Sequence, residues 1–134
     1  LSRLEELEAI ARIAVDCGYH LHRDVGPGLL ENVYEVLLAE YLKDRGLAVA
    51  RQVRVPIMHK GQTLEEAFRA DIIVEDILLL ELKSAERISL VHPKQVLTYL
   101  RLLNLPLGLL MNFGQGTFKD GLKRVANDYY GRIG

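Results

Sequence analysis

A chain of 134 residues with 49% hydrophobic content can bury one sizeable core, so residues 1–134 are expected to form a single domain. A net charge of −1 leaves no basic tail or acidic tract, and any polyanion partner must meet a local patch. One cysteine, Cys17, excludes an internal disulfide and a four-cysteine metal site, and no long apolar run or leader-like segment is present, so the expectation is a soluble cytoplasmic protein with no membrane partner.

Leu4, Leu7, Ile10, Ala11, Ala14, Cys17 and Leu21 recur at helical spacing until Gly26-Pro27-Gly28 breaks the chain, which predicts a first helix. Leu30, Val33, Leu37, Leu38, Tyr41 and Leu42 restart the period, and Gly46 stands where a glycine closes a second helix. From Leu47 the pattern alternates through Val49, Val53, Val55 and Ile57, and His59-Lys60-Gly61-Gln62 reads as a hairpin turn. A second strand follows through Phe68 to Val74, and a third runs from Ile77 to Lys83. Pro93 opens a third helical pattern carrying Val96, Leu97, Leu100 and Leu103. Residues 107–113 form a short, almost wholly apolar strand, and Lys119 to Tyr130 predicts a closing helix.

The order is ααβββαβα. A helix joins the third strand to the fourth, which makes them parallel, while the first three form a meander. The expected class is α/β, a mixed four-stranded sheet flanked by helices. The third and fourth strands are continuous apolar runs and belong in the middle, covered on both faces.

That placement makes Glu81 and Lys83 unusual, because they close the most apolar strand of the chain. Residues two apart share a strand face, so the two project together while Leu82 turns into the core. Asp71 joins them if the preceding turn spans Glu75 to Ile77, which pairs Val74 with Leu78 and sets Asp71 opposite Glu81; a two-residue turn puts it on the other face. Two carboxylates on adjacent strands repel by roughly 3–4 kcal/mol at about 5 Å and an effective dielectric near 20. Lys83 or a divalent cation could compensate, and oxygen-only ligands suit Mg²⁺ or Mn²⁺ better than zinc. The bland reading is a solvated cross-strand pair. His20 and His22 point to different sides of a helix and have no cysteine partner, Gly26-Pro27-Gly28 and Gly114-Gln115-Gly116 read as turns, and Cys17 reads as a structural thiol.

Asp71 followed by Glu81-Leu82-Lys83 resembles the D…(D/E)xK signature of the PD-(D/E)XK nuclease superfamily. Gly28-Leu29-Leu30-Glu31-Asn32-Val33-Tyr34 is similar to the G-x-x-E-x-x-Y pattern of the GxxExxY family within it. Gln95 to Tyr99 resembles the superfamily's QxxxY motif, and Asn112-Phe113-Gly114 fits the family's ending. Ala70 stands where a proline usually precedes the aspartate. The resemblance implies a restriction-endonuclease-like αβββαβ core with an extra N-terminal and a C-terminal helix. It further implies Mg²⁺- or Mn²⁺-dependent hydrolysis of phosphodiester bonds, with Asp71, Glu81, the Leu82 carbonyl and Glu31 as ligands. Lys83 would orient the attacking water and offset charge on phosphorus. Gln95, Tyr99 and Tyr34 would position the substrate. The implied partner is nucleic acid, DNA ahead of RNA, with a homodimer left open. The other reading is a catalytically idle nucleic-acid-binding or protein-interaction module on a nuclease fold.

Overall fold

The computed structural model describes residues 2–128. Helix α1 runs Arg3–Val25; Ser2 caps it by accepting the Glu5 amide, and Leu7, Ala11, Ala14, Cys17 and Leu21 form its buried stripe. Helix α2, Glu31–Asp44, buries Tyr34, Glu35, Leu38, Ala39 and Leu42. Strands β1 (Val49–His59) and β2 (Gln62–Val74) form a hairpin around Lys60 and Gly61, whose positive φ angles of 51° and 74° suit a two-residue connection. Strand β3 is Leu78–Lys83, antiparallel to β2; helix α3 is Val91–Leu103, closed by Asn104 in the left-handed region. Strand β4, Leu107–Asn112, lies parallel to β3, as the intervening helix requires.

Each side of the sheet has its own core. Helices α1 and α2 pack on Leu78, Leu80, Leu82, Leu109 and Met111, whereas α3 packs through Val96 and Leu100 on Leu79, Leu110 and Val55. Strands β3 and β4 are therefore covered on both faces, which is why their sequences do not alternate.

The C-terminal prediction is corrected. Lys119 to Ala126 is not helical: Lys119–Gly121 makes one 3₁₀ turn and Leu122–Ala126 becomes β5, antiparallel to β4. Among the described residues the sheet thus has five strands in the order β1-β2-β3-β4-β5, one more than expected. Leu122 and Val125, three apart, match a helix in sequence, but the outer edge of β4 would otherwise leave its backbone donors and acceptors unpaired beside a core. Tyr129 and Tyr130, the end of the predicted helix, lie outside the described residues.

The β1–β2 hairpin is irregular beside Asp71. Arg51 pairs with Ile72 and Val53 with Ala70, so Gln52 stands opposite Asp71 between them. Ile72 belongs to the α1–α2 core and Ala70 to the α3 core, although residues two apart should share a face. Val49 and Val53 differ in the same way. Both strands of the hairpin exchange faces at this point, and Gln52 adopts φ 52° to do so.

Candidate active site

The ladder between β2 and β3 pairs Val74 with Leu78, Ile73 with Leu79 and Ile72 with Leu80, and then stops. This is the register that sets Asp71 opposite Glu81. Both strands continue, β2 on β1 and β3 on β4, so the sheet forks between them. A fork strands backbone amides away from their strand partners, and here the two acids take them up. The Asp71 N–H donates to Glu81 Oε1 at 2.9 Å, and the Leu82 N–H donates to Asp71 Oδ2 at 2.8 Å. The charge at the end of the most apolar strand therefore answers a local demand for acceptors.

That demand could be met by neutral side chains, and the electrostatics show what acids cost there. Glu81 is 3% exposed, and burial, reinforced by the charge of Asp71, pushes its carboxyl up to about 8. The amide of Asp71 and the ammonium of Lys83 pull the other way without prevailing. Asp71 is also raised, first by burial, against the stabilising Leu82 amide, with Glu35 and Glu31 adding repulsion. With Glu81 raised to about 8 and Asp71 raised beside it, the pair favours holding a proton at neutral pH. A hard divalent cation is the other way to relieve the same repulsion, and the donor set of two carboxylates beside the half-buried strand end at Lys83 suits one. Among the described residues, however, no three His, Cys, Asp or Glu side chains converge as a ready metal cage. Glu31 is exposed on α2, near enough to act on the charge of Asp71 but not closed around the pair.

The other expected residues divide. Gln95 Nε2 donates to the Tyr99 hydroxyl at 3.2 Å, on the face of α3 that meets the site; Asp71 and Glu81, after burial, raise the Tyr99 phenol. Tyr34 is elsewhere. Its ring is fully buried and stacked on Phe113 at 4.6 Å, and its hydroxyl donates to the Gly26 carbonyl at 2.6 Å and accepts from the Leu29 N–H at 3.2 Å. A ring with no exposed surface has none to offer a substrate, so direct positioning by Tyr34 is replaced by a structural role. It holds the loop in which Gly28, at φ 107°, turns the chain into α2, and Ser84 Oγ donates to the Leu29 carbonyl to tie that loop to the end of β3. The G-x-x-E-x-x-Y spacing thereby sets Glu31 at the start of α2, beside the strand end that carries Lys83.

Asn112-Phe113-Gly114 also acquires a reason. The buried Asn112 amide accepts from the Ala85 and Gly114 N–H groups and donates to the Ala85 carbonyl, clamping the chain after β3 against the end of β4. A Cβ on Gly114 would sit 2.3 Å from the Ala85 carbonyl oxygen. Glu35 is the functional-looking residue that sequence reasoning missed. It is buried on α2 and held by Arg51 and Gln52; its place four residues after Glu31 was the available signal.

A family model described as the PD-(D/E)XK nuclease superfamily matches residues 8–125, a span that includes every residue of the fork. Comparison with curated proteins and with solved structures found no match. Among the described residues no helix is long and apolar enough to cross a membrane.

Proposed function

This chain belongs to the PD-(D/E)XK nuclease superfamily, and we propose that it is a Mg²⁺- or Mn²⁺-dependent nuclease of the GxxExxY type that hydrolyses phosphodiester bonds. Residues 1–134 then work as one nuclease domain. The observation that carries this is the fork itself: the buried Glu81 carboxyl and the half-buried Asp71 carboxyl, held 10 residues apart in sequence but opposed across a broken ladder, with Lys83 on the same face of the strand as Glu81. Asp71 and Glu81 would hold the cation, with the Leu82 carbonyl and Glu31 completing the ligands. The bound ion would supply Lewis acidity toward the scissile phosphate.

The chain's own groups do the rest. Before a cation binds, the carboxyl pair must release its proton, so occupancy rises with pH. Lys83 is half-buried at the strand end, and its ammonium orients the attacking water and offsets negative charge growing on phosphorus. Gln95 and Tyr99, bonded to one another on α3, position the nucleic-acid backbone or ordered water. DNA is favoured over RNA, and a homodimer would widen the grip of so small a domain.

One observation favours the alternative of a catalytically idle binding module. The acids already satisfy backbone amides and form no three-carboxylate group among the described residues, as purely structural acids would. Cleavage of a panel of single- and double-stranded DNA and RNA with Mn²⁺ or Mg²⁺ separates the two. Lys83→Ala should keep the fold, since a strand-end side chain opens no core cavity, and should lose cleavage. Cutting by Lys83→Ala at the wild-type rate would remove Lys83 from the chemistry, and a wild type idle on the whole panel leaves the binding module.

A further inference from the structure

Helix α2 carries two acids toward the fork, Glu31 and, one turn later, Glu35. Their surroundings differ. Glu31 is exposed, whereas Glu35 is 3% exposed and has both oxygens occupied. Its Oε2 accepts from Arg51 Nε at 3.0 Å and lies 2.9 Å from Arg51 Nη2, while its Oε1 accepts from Gln52 Nε2 at 2.6 Å. A carboxylate filled in this way makes a poor metal ligand and a firm handle for the groups it holds.

Those groups stand at the place where the β1–β2 hairpin exchanges faces. Gln52 opposes Asp71 and adopts the left-handed region, a conformation that a non-glycine strand residue keeps only where its surroundings over-determine it. Arg51 turns its Nε–Nη2 edge to Glu35, which leaves the Nη1 edge for another acceptor, and 38% of its side chain is exposed. An arginine locked along one edge by a buried carboxylate presents the other in a fixed direction, which is how a planar guanidinium recognises phosphate. The need is also local. Asp71, Glu81 and Glu31 make the fork acidic, and a polyanion brought up to it requires a cation beyond Lys83.

We propose that Arg51 contacts a phosphate of the substrate strand next to the fork, and that Glu35, acting through Arg51, is a positioning residue seconded by Gln52. The inference rests on the reading of the chain as a nucleic-acid enzyme. It puts the substrate's backbone on the β1 side of Asp71, across from α3.

The test is equilibrium binding of labelled single-stranded and duplex DNA to the full chain, with a chelator present to prevent cleavage, over a series of salt concentrations. Arg51→Ala should weaken binding on every sequence alike and reduce the slope of log affinity against log salt by about 0.7–0.9, the loss of one phosphate contact. Arg51→Lys should keep the slope. Should Arg51→Ala fail to fold because Glu35 is left buried and unpaired, Arg51→Gln removes the charge while keeping a donor for Glu35. Glu35→Gln removes a negative charge from the substrate's path, which by charge alone would tighten binding; positioning through Arg51 predicts weaker binding instead. Unchanged affinity and slope in Arg51→Ala overturn this inference while the nuclease reading stands. A wild type that neither binds nor cuts overturns both.

Discussion

At the scale of single residues, the fork sets one function against another. Asp71 and Glu81 are good acceptors for the amides of Leu82 and Asp71, yet burial makes each a costly anion, reinforced at Glu81 by the charge of Asp71 and at Asp71 by the charges of Glu35 and Glu31. Asp71→Asn and Glu81→Gln keep an acceptor oxygen and remove one repelling charge. Each variant should therefore melt at least as high as wild type at neutral pH without metal, and each should lose most of the stabilisation that Mn²⁺ or Mg²⁺ is expected to confer on wild type. Differential scanning fluorimetry with and without the ion reads both effects. Variants that melt well below wild type in the metal-free state would make the carboxylates structural partners, the bland reading.

At the scale of elements, the site is an arrangement of ends. Helix α2 begins, β3 ends and the chain after β4 turns within one neighbourhood, joined by Tyr34 to Gly26 and Leu29, by Ser84 to Leu29 and by Asn112 to Ala85. Tyr34→Phe keeps the stack on Phe113 but leaves the Leu29 amide and the Gly26 carbonyl without their partner. It should destabilise by about 1–3 kcal/mol while retaining the metal-induced increment in melting temperature. Loss of activity with no loss of stability would instead return Tyr34 to the substrate. In the proposed reading helix α3 contributes through Gln95 and Tyr99, hydrogen-bonded to one another, which would position groups rather than supply charge. Gln95→Ala and Tyr99→Phe should accordingly reduce turnover less than loss of Asp71 or Glu81 does, a difference that single-turnover cleavage rates can measure. Equal losses would place the α3 pair in direct contact with the reacting groups.

For the whole molecule, the proton held by the acid pair links folding to pH. In the folded chain the Glu81 carboxyl sits at about 8, against an ordinary 4.5. Between those values the folded state holds a proton that the unfolded state has released, so stability falls as pH rises. The contribution is complete below the unfolded value and lost as pH passes through about 8. Metal-free protein should then melt higher near pH 5 than near pH 8, and Glu81→Gln should flatten that dependence. The proposed cation would act in the opposite sense. It needs the deprotonated pair, so its stabilisation should grow over the same range, reaching roughly 2.7 kcal/mol when the ion is at 100 times its dissociation constant. For a domain of this size that corresponds to about 5–15 °C in melting temperature. A stability profile that rises with pH in the absence of metal would contradict the buried, proton-sharing pair.

What the sequence determined by itself was whatever depends on period and spacing. The buried stripe of α1, the two continuous apolar strands and the Lys60-Gly61 turn are properties of short segments, and the structure reproduces them, whereas the alternation of β1 holds only from Val53 onward. The opposition of Asp71 and Glu81 was legible too, but only as one of two registers, because a single residue in the turn decides which face an acid takes. The tertiary structure decided the rest. Leu122 to Ala126 became a strand because β4 had an edge to pair, a need no local pattern expresses. The hairpin exchanged faces at Gln52 and Asp71 because β1 and β2 serve one core and then the other. Tyr34 went inward because Phe113, far away in sequence, gave it a stacking partner. Glu35 became a buried anchor because Arg51 and Gln52 were brought to it across a strand, and a charge's partner is set by where chains meet in space.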